Sequence, residues 1–285
     1  MIRLKDIEYK YENTSSRTTY ALKGVSLEVK DGEFWGIIGH TGSGKSTLSE
    51  IMSGLLKPDK GFVEIDGEII KEKKNYLKAF RGKVGMVFQY PEYQLFEETV
   101  IKDVCFGPRN LGFSEEECLK KARRAMRLTG LSEDFENLSP FELSGGEKRR
   151  VAIAGVIAME PDVLVLDEPT AGLDPVGRDN LLEMLGNIKG ELCKSIVLVS
   201  HSMEDVASFC DKVLVLNDGS TVLSGDVREV FKEAETLISV GLDVPQITRL
   251  IYRLNKDGYN LDKNIITVDE AVEAIYNKIK EAEKC

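Results

Sequence analysis

Excess basic charge, histidine, paired cysteines and long apolar runs are what this chain lacks, and each absence removes a class of function. Lysine and arginine number 38 against 48 aspartates and glutamates, for a formal charge of −10 at pH 7. A nucleic-acid backbone is repelled by such a chain unless a basic face is segregated from the rest. The densest basic runs, "KEKK" at 71–74 and "KKARR" at 120–124, are short and read as solvated faces, so no nucleic-acid partner is expected. Two histidines and five cysteines without a CxxC pair (Cys105, Cys118, Cys193, Cys210, Cys285) supply no zinc ligand set, and the odd count fits free thiols in a reducing compartment. No window approaches the about eighteen apolar residues of a spanning helix, and the start, "MIRLKDIEYKYE", carries no apolar signal core. The expectation is a chain neither exported nor itself embedded in a membrane.

What is present is 42% hydrophobic and 30% charged over 285 residues, the composition of a globular protein of one large domain or two ordinary ones. Short runs rich in Val, Ile and Leu, at 34–38, 84–88, 163–166, 196–199 and 213–216, suit the buried strands of a mainly parallel sheet. Helical spacing lies between them, as at Leu48, Ile51, Met52 and Leu55, and Ser114 with Glu117 forms a capping box. "FVEIDGEII" reads instead as an antiparallel hairpin turning at Asp66-Gly67. After about residue 220 the pattern becomes amphipathic helix. Ile247, Leu250, Ile251 and Leu254 make one stripe closed by Gly258, and Thr267 with Glu270 caps a second helix carrying Val268, Val272, Ile275 and Ile279. The fold class expected is α/β, with a helical appendix that either makes partner contacts or packs on the main domain.

Residues 39–47, "GHTGSGKST", satisfy GxxxxGK[ST] between a strand and a helix. Gly39, His40, Thr41, Gly42, Ser43 and Gly44 let backbone N–H groups converge on phosphates, and the helix that begins at Lys45, Ser46 and Thr47 adds its partial positive charge. Lys45 then reaches the terminal phosphates, and Ser46 ligates Mg²⁺. The strand "VLVLDEPT" delivers Asp167 to the second magnesium-holding position. Glu168, one step further, can orient and deprotonate a water, which favours hydrolysis of ATP over transfer to another acceptor.

"GHTGSGKST", "VFQ" at 87–89, "LSGGE" at 143–147, "VLVLDEP" at 163–169, "AGLD" at 171–174 and "VSH" at 199–201 together resemble the ATP-binding cassette (ABC) ATPases over residues 1 to about 225. The resemblance implies a P-loop core with an antiparallel β subdomain, a helical subdomain at about 90–160, and a small helical extension at 226–285 that could serve dimerisation. It implies that Ser144, Gly145, Gly146 and Glu147 bind ATP held by a second cassette, so that each chain supplies half of two composite sites. It assigns Gln89 to Mg²⁺ and the γ-phosphate, His201 to the γ-phosphate and the attacking water, and Asp174 to the dimer seam. Tyr11 stacks on adenine in this reading, with Tyr20 a rival because "ENTSSRTT" lengthens the loop between them. Glu147 stands where many relatives carry glutamine.

A finer resemblance, at "VFQYPEYQLFEETV" (87–100), "FGPRNLG" (106–112), "AIAGVIAMEP" (152–161) and "GLDVPQITRL" (241–250), is to the ATPase subunits of energy-coupling-factor transporters of vitamins or of cobalt and nickel ions. It implies a peripheral protein at the cytoplasmic face of the cell membrane, partnered by a second ATPase chain, a transmembrane coupling subunit and a substrate-binding membrane subunit. Independently, the segment after Gln89 is aromatic and acidic, and Tyr90, Tyr93 and Phe96 suit docking to another subunit's helix. Other classes fit less well. A chromosome-organising relative needs a long coiled-coil insertion, a translation-type relative carries two cassettes, and a guanine reader needs NKxD where this chain has "NKDG" at 255–258. Another ABC transporter, or a cassette serving some other machine, is the alternative. The identity of the dimer partner stays open.

Overall fold

The computed structural model describes residues 1–11, 19–70 and 76–283. The "KEKK" run and most of the 12–19 insertion therefore lie outside the described residues. In chain order the elements are β1 (Ile2–Tyr11), β2 (Thr19–Val29), β3 (Phe34–Gly39), α1 (Lys45–Met52), β4 (Lys60–Ile65), β5 (Glu68–Ile69), α2 (Tyr76–Phe80) and β6 (Val84–Val87). Then come α3 (Val100–Asn110), α4 (Glu115–Leu128), α5 (Gly145–Ile157), β7 (Val163–Asp167), α6 (Pro175–Ile188), β8 (Ser195–Val199), α7 (Met203–Phe209), β9 (Lys212–Asn217) and β10 (Ser220–Asp226). Four helices close the chain: α8 (Val227–Lys232), α9 (Ala234–Ser239), α10 (Gln246–Lys256) and α11 (Val268–Glu283).

All five apolar runs form neighbouring strands of one sheet, in the order β10-β9-β3-β8-β7-β6, with every pair parallel except β10 with β9. Both faces of this sheet are covered, which is why its strands read as continuous rather than alternating apolar runs. One face, with Ile37, Val165, Val197 and Leu214, packs on α1 and on the antiparallel sheet β2-β1-β4-β5. The other, with Ile38, Leu164, Leu198 and Val213, packs on residues of the helices from α3 to α9. Asp66 and Gly67 both take positive φ, 52° and 86°, as the β4–β5 turn requires.

Some apolar positions face away from the core. Leu55 lies beyond the end of α1 and is 49% exposed. Of the expected α11 stripe Val268, Val272 and Ile279 are exposed while Ile275 packs inward, and Ala271 is the α11 residue that is buried. Ile251 of α10 joins Leu261, Ile265 and Ala271 in a separate small core. By contrast α8 and α9 belong to the main core through Val230, Phe231 and Leu237.

Candidate active site

The strand β3 ends at Gly39 and α1 begins at Lys45, so the loop between them presents the unpaired N–H groups of a helix's first turn. Gly44 caps this helix at φ 103°, and a Cβ there would lie 2.5 Å from the Ala21 carbonyl oxygen, so backbone and space both demand glycine. Lys45 is buried, its Nζ donating to the carbonyls of Gly39 (2.7 Å) and His40 (2.9 Å). Burial pushes its pKa down, and the carboxylates of Glu168 and Asp167 oppose that shift. The Ser43 hydroxyl is buried with no partner, an orphan that a phosphate oxygen would satisfy. Thr41, Gly42 and Ser46 are exposed at the mouth. Thr47 Oγ1 lies 3.2 Å from the Tyr11 hydroxyl, which puts the Tyr11 ring beside the loop; Tyr11 and Tyr20, the latter cross-strand from Lys10, are both exposed.

Asp167 ends β7, and burial raises its pKa, assisted by the neighbouring Glu168 charge and opposed by a hydrogen bond from Ser46 and by Lys45. A hydroxyl bonded to a carboxylate is a hard-oxygen pair of the kind Mg²⁺ uses when phosphate and water fill its remaining positions. Glu168 follows in a left-handed backbone conformation, φ 49°, held by its N–H to Val199 O (3.0 Å) and by Ala171 N–H to its own carbonyl (3.1 Å). One of its carboxylate oxygens, Oε2, accepts from Gln89 Nε2 at 3.0 Å and lies 3.4 Å from His201 Nδ1. Gln89 follows β6, Glu168 follows β7 and His201 follows β8, three adjacent parallel strands. Their carboxyl ends must therefore meet, which is where open α/β sheets place ligands.

Residues absent from the sequence-level site support this cluster. Asp205, 2% exposed, accepts from Arg178 Nε and from Thr170 Oγ1 (3.3 Å). Arg178 Nη2 also donates to Ser202 Oγ at 2.6 Å, and that oxygen caps α7 by accepting from Asp205 N–H (3.3 Å). The turn after Glu168 and the turn after His201 are thus tied together. Ser202 and Asp205, three apart before an apolar helix, were a readable capping signal; their partners in the 170s were not.

Ser144 caps α5 in a full capping box. Its Oγ accepts from Glu147 N–H (3.4 Å), while Glu147 Oε2 accepts from Ser144 N–H (2.8 Å) and Oγ–H (2.7 Å). These bonds hold the Glu147 carboxyl below its usual range. Ser144, Gly145 and Gly146 are exposed, and among the described residues no hydrogen bond joins them to the phosphate loop. A Cβ built at Gly145 or Gly146 would meet nothing within 4 Å. The exposed Asp174 caps α6, accepting from Gly177 N–H at 2.7 Å.

The three aromatic positions after Gln89 part company. Tyr90 lies toward the turn after Glu168, where a Cβ at Gly172 would be 3.9 Å from its ring, and Tyr93 is 84% exposed. Phe96 packs edge-on against Phe106 at 4.9 Å and lines a cleft of about 790 Å³ with Leu77, Phe80, Arg81 and Gln94. Asp103 fixes this segment by accepting from the N–H groups of Phe96 (3.0 Å) and Glu97 (2.9 Å).

A parallel core of this order, with a phosphate loop and a carboxylate pair at its strand ends and a capped glycine pair elsewhere, defines a nucleotide-hydrolysing cassette. The family model described as ABC transporter matches residues 22–171, and the chain belongs to that family of ATPases. More narrowly, it is 51% identical over 280 residues to the energy-coupling factor transporter ATP-binding protein EcfA2 of Clostridium perfringens, covering 98% of each chain. It is 50% identical to the protein of the same name from Streptococcus agalactiae, covering 96% of this chain and 98% of that one. Among solved structures it resembles cbiO1 from Clostridium perfringens, part of the ABC transporter complex cbiONQ, at TM-score 0.74 and 39% identity over 88% of this chain and 98% of that one. It also resembles the dimeric cassette MJ0796 in a post-hydrolysis state bound to ADP and Pi, at TM-score 0.71 and 33% identity over 80% and 99%.

Proposed function

We propose that this chain is the ATP-hydrolysing subunit that powers an energy-coupling-factor importer of vitamins or transition-metal ions. It works at the cytoplasmic face of the membrane as a dimer with a second cassette. A transmembrane coupling subunit carries the dimer, together with a substrate-binding membrane subunit. The observation that carries the chemistry is the single Glu168 oxygen shared by Gln89 and His201 beside the buried Lys45.

Lys45, Ser43 and the N-terminus of α1 hold the phosphates, and Tyr11 stacks on the adenine. Ser46 and Asp167, with Gln89, would hold Mg²⁺, which neutralises charge on the phosphate oxygens. Glu168 takes a proton from water as the water oxygen bonds to the γ-phosphorus and the bond to the bridging oxygen of ADP breaks. His201, close to Glu168 through Nδ1, orients that water with its remaining ring nitrogen. Ser144, Gly145 and Gly146 complete the site of the other cassette, with Asp174 at the seam. Support for the assignment of Gly145 and Gly146 comes from the glycines themselves: glycine is a poorer helix former than alanine, and among the described residues no close contact in their own chain requires either one. The cleft at Phe96, with Tyr93 at the exposed surface beyond it, receives the coupling subunit.

Glu168→Gln should lower ATP turnover roughly 100-fold while nucleotide affinity stays nearly constant, the size of a general-base contribution. Turnover within a few-fold of the parent removes Glu168 as the base. Pull-down of the chain from its native membrane, with mass spectrometry, tests the transport reading: integral membrane subunits should accompany it, and their absence would favour a cassette of another machine.

A further inference from the structure

Arg149, five residues past Ser144 on α5, is 5% exposed and spends its guanidinium on two other segments. Nε and Nη2 grip the Glu92 carboxylate at 3.1 and 2.8 Å, and Nη1 donates to the carbonyls of Pro169 (3.0 Å) and Ala171 (2.9 Å). Glu92 sits in the 3-10 turn Pro91–Gln94 that directly follows Gln89 and Tyr90. Pro169 and Ala171 form the turn that holds Glu168 at positive φ and leads to Asp174. One buried side chain therefore joins the helix bearing Ser144, Gly145 and Gly146 to both segments that meet at the Glu168 carboxylate.

We propose that Arg149 is a positioning residue for hydrolysis. It sets where Gln89 and Glu168 stand relative to the Ser144–Gly146 turn of the same chain, so that engagement of that turn by the other cassette's ATP is transmitted to this chain's own base. The inference rests on the assignment of Glu168 as base. A guanidinium is required because its planar fork makes a two-point carboxylate pair and still reaches two carbonyls, which a lysine ammonium on one point cannot do.

The alternative role, an ion pair that only stabilises the fold, predicts different behaviour from a matched double variant. Replacing both members of a buried pair by apolar residues commonly restores stability, but it leaves the Pro169 and Ala171 carbonyls unheld. Arg149→Met combined with Glu92→Met should therefore stay folded, melting below the parent by no more than two unsatisfied carbonyls cost, and bind ATP within about twofold of the parent, yet show kcat lower by roughly tenfold or more, the range of a group that only aligns catalytic partners. Arg149→Lys, which keeps the charge, should fold and show the same fall in kcat at unchanged ATP affinity. This second variant decides the matter if the double variant does not fold. A kcat within twofold of the parent in whichever variant folds, or a raised KM at unchanged kcat, overturns the proposal. Glu168→Gln measured alongside keeps the two ideas apart: if it remains active the base assignment has failed, whereas if it is inactive and Arg149→Lys is fully active only the positioning role has failed.

Discussion

Glu147 shows how one side chain can serve its own helix and weigh on a neighbouring reaction. As the N3 residue of α5 it closes the capping box, and its oxygens hold the Ser144 hydroxyl. In the proposed composite site Ser144 meets the partner's γ-phosphate, and an ionised carboxylate hydrogen-bonded to it would face an approaching anion. Glutamine closes the same box without the charge. Glu147→Gln should thus lower the KM for ATP by roughly two- to fivefold, the effect of one surface charge near a helix end, with a slightly lower melting temperature because the ionised carboxylate stabilises the cap. An unchanged KM in steady-state ATPase assays would mean that the carboxylate lies outside the field of the phosphate. Glu168 poses the opposite problem. Its left-handed backbone costs about 1 kcal/mol or more, and its N–H bond to Val199 O, the Ala171 N–H on its own carbonyl and the Arg149 grip on the Pro169 and Ala171 carbonyls hold that conformation.

Among the elements, the C-terminal helices divide in two. The short helices α8 and α9 are sealed into the main core, and Val240, just after α9, accepts from His40 Nε2 at 2.8 Å, joining the phosphate loop to the base of the extension. The pair α10–α11 has its own small core and is held to α8 by Arg228, which bonds Glu270 through Nη1 (3.2 Å) and Nη2 (2.8 Å). Arg228, helped by the Thr267 and Ile266 cap bonds and opposed by partial burial, brings the Glu270 carboxyl down to about 2. A lowered carboxyl pKa adds stability above the unfolded value, near 4.5, and loses it as pH falls toward 2. The attachment of α11 should accordingly weaken over that window. Glu270→Gln should reproduce the loosened state at neutral pH, seen as faster amide exchange in Val268–Glu283 with β7 and β8 unchanged. Equal exchange in parent and variant would show that the apolar core alone secures the helix. The loosened part carries Val268, Val272, Tyr276 and Ile279 on its exposed side.

For the assembled protein the separation of the phosphate loop from the capped glycine pair is the central fact. No hydrogen bond connects them within the described residues of one chain, and in the proposed function the two meet only across a pair of chains. Two inactive variants test this: Lys45→Ala removes the phosphate contact, and Gly145→Asp sets a carboxylate against the γ-phosphate. In a mixed dimer both lesions fall in one composite site and leave the other intact. Random pairing of a self-associating chain then restores at most about a quarter of parental hydrolysis, given independent sites, and coupled sites restore less. If a related but different cassette is the partner, the lesions must be divided between the two chains. No recovery in either format, with a protein that stays monomeric in sedimentation with ATP and Glu168→Gln, would assign the second loop to its own chain.

Strand runs, the phosphate loop, Asp167, Glu168 and the caps at Ser114–Glu117 and Thr267–Glu270 were legible in the linear order of residues, because each depends on a periodicity or on contacts among neighbours within a turn or two. The class of reaction followed from the same local signals. Long-range partners were not legible. Nothing in residues 143–150 says that Arg149 will reach Glu92 and the carbonyls beyond Glu168, or that Arg178 will meet Asp205, since those pairs arise only when α5, α6 and α7 pack on one face of the sheet. The apolar side of α11 was read only in part, for a related reason. Helical spacing identifies apolar positions, but which of them are buried depends on the neighbouring element, and α11 packs through Ala271, Ala274 and Ile275 while Val268, Val272 and Ile279 stay exposed. The convergence of Gln89, Glu168 and His201 on one oxygen likewise depends on β6, β7 and β8 lying side by side, an order set by the crossovers of the sheet and not by sequence distance.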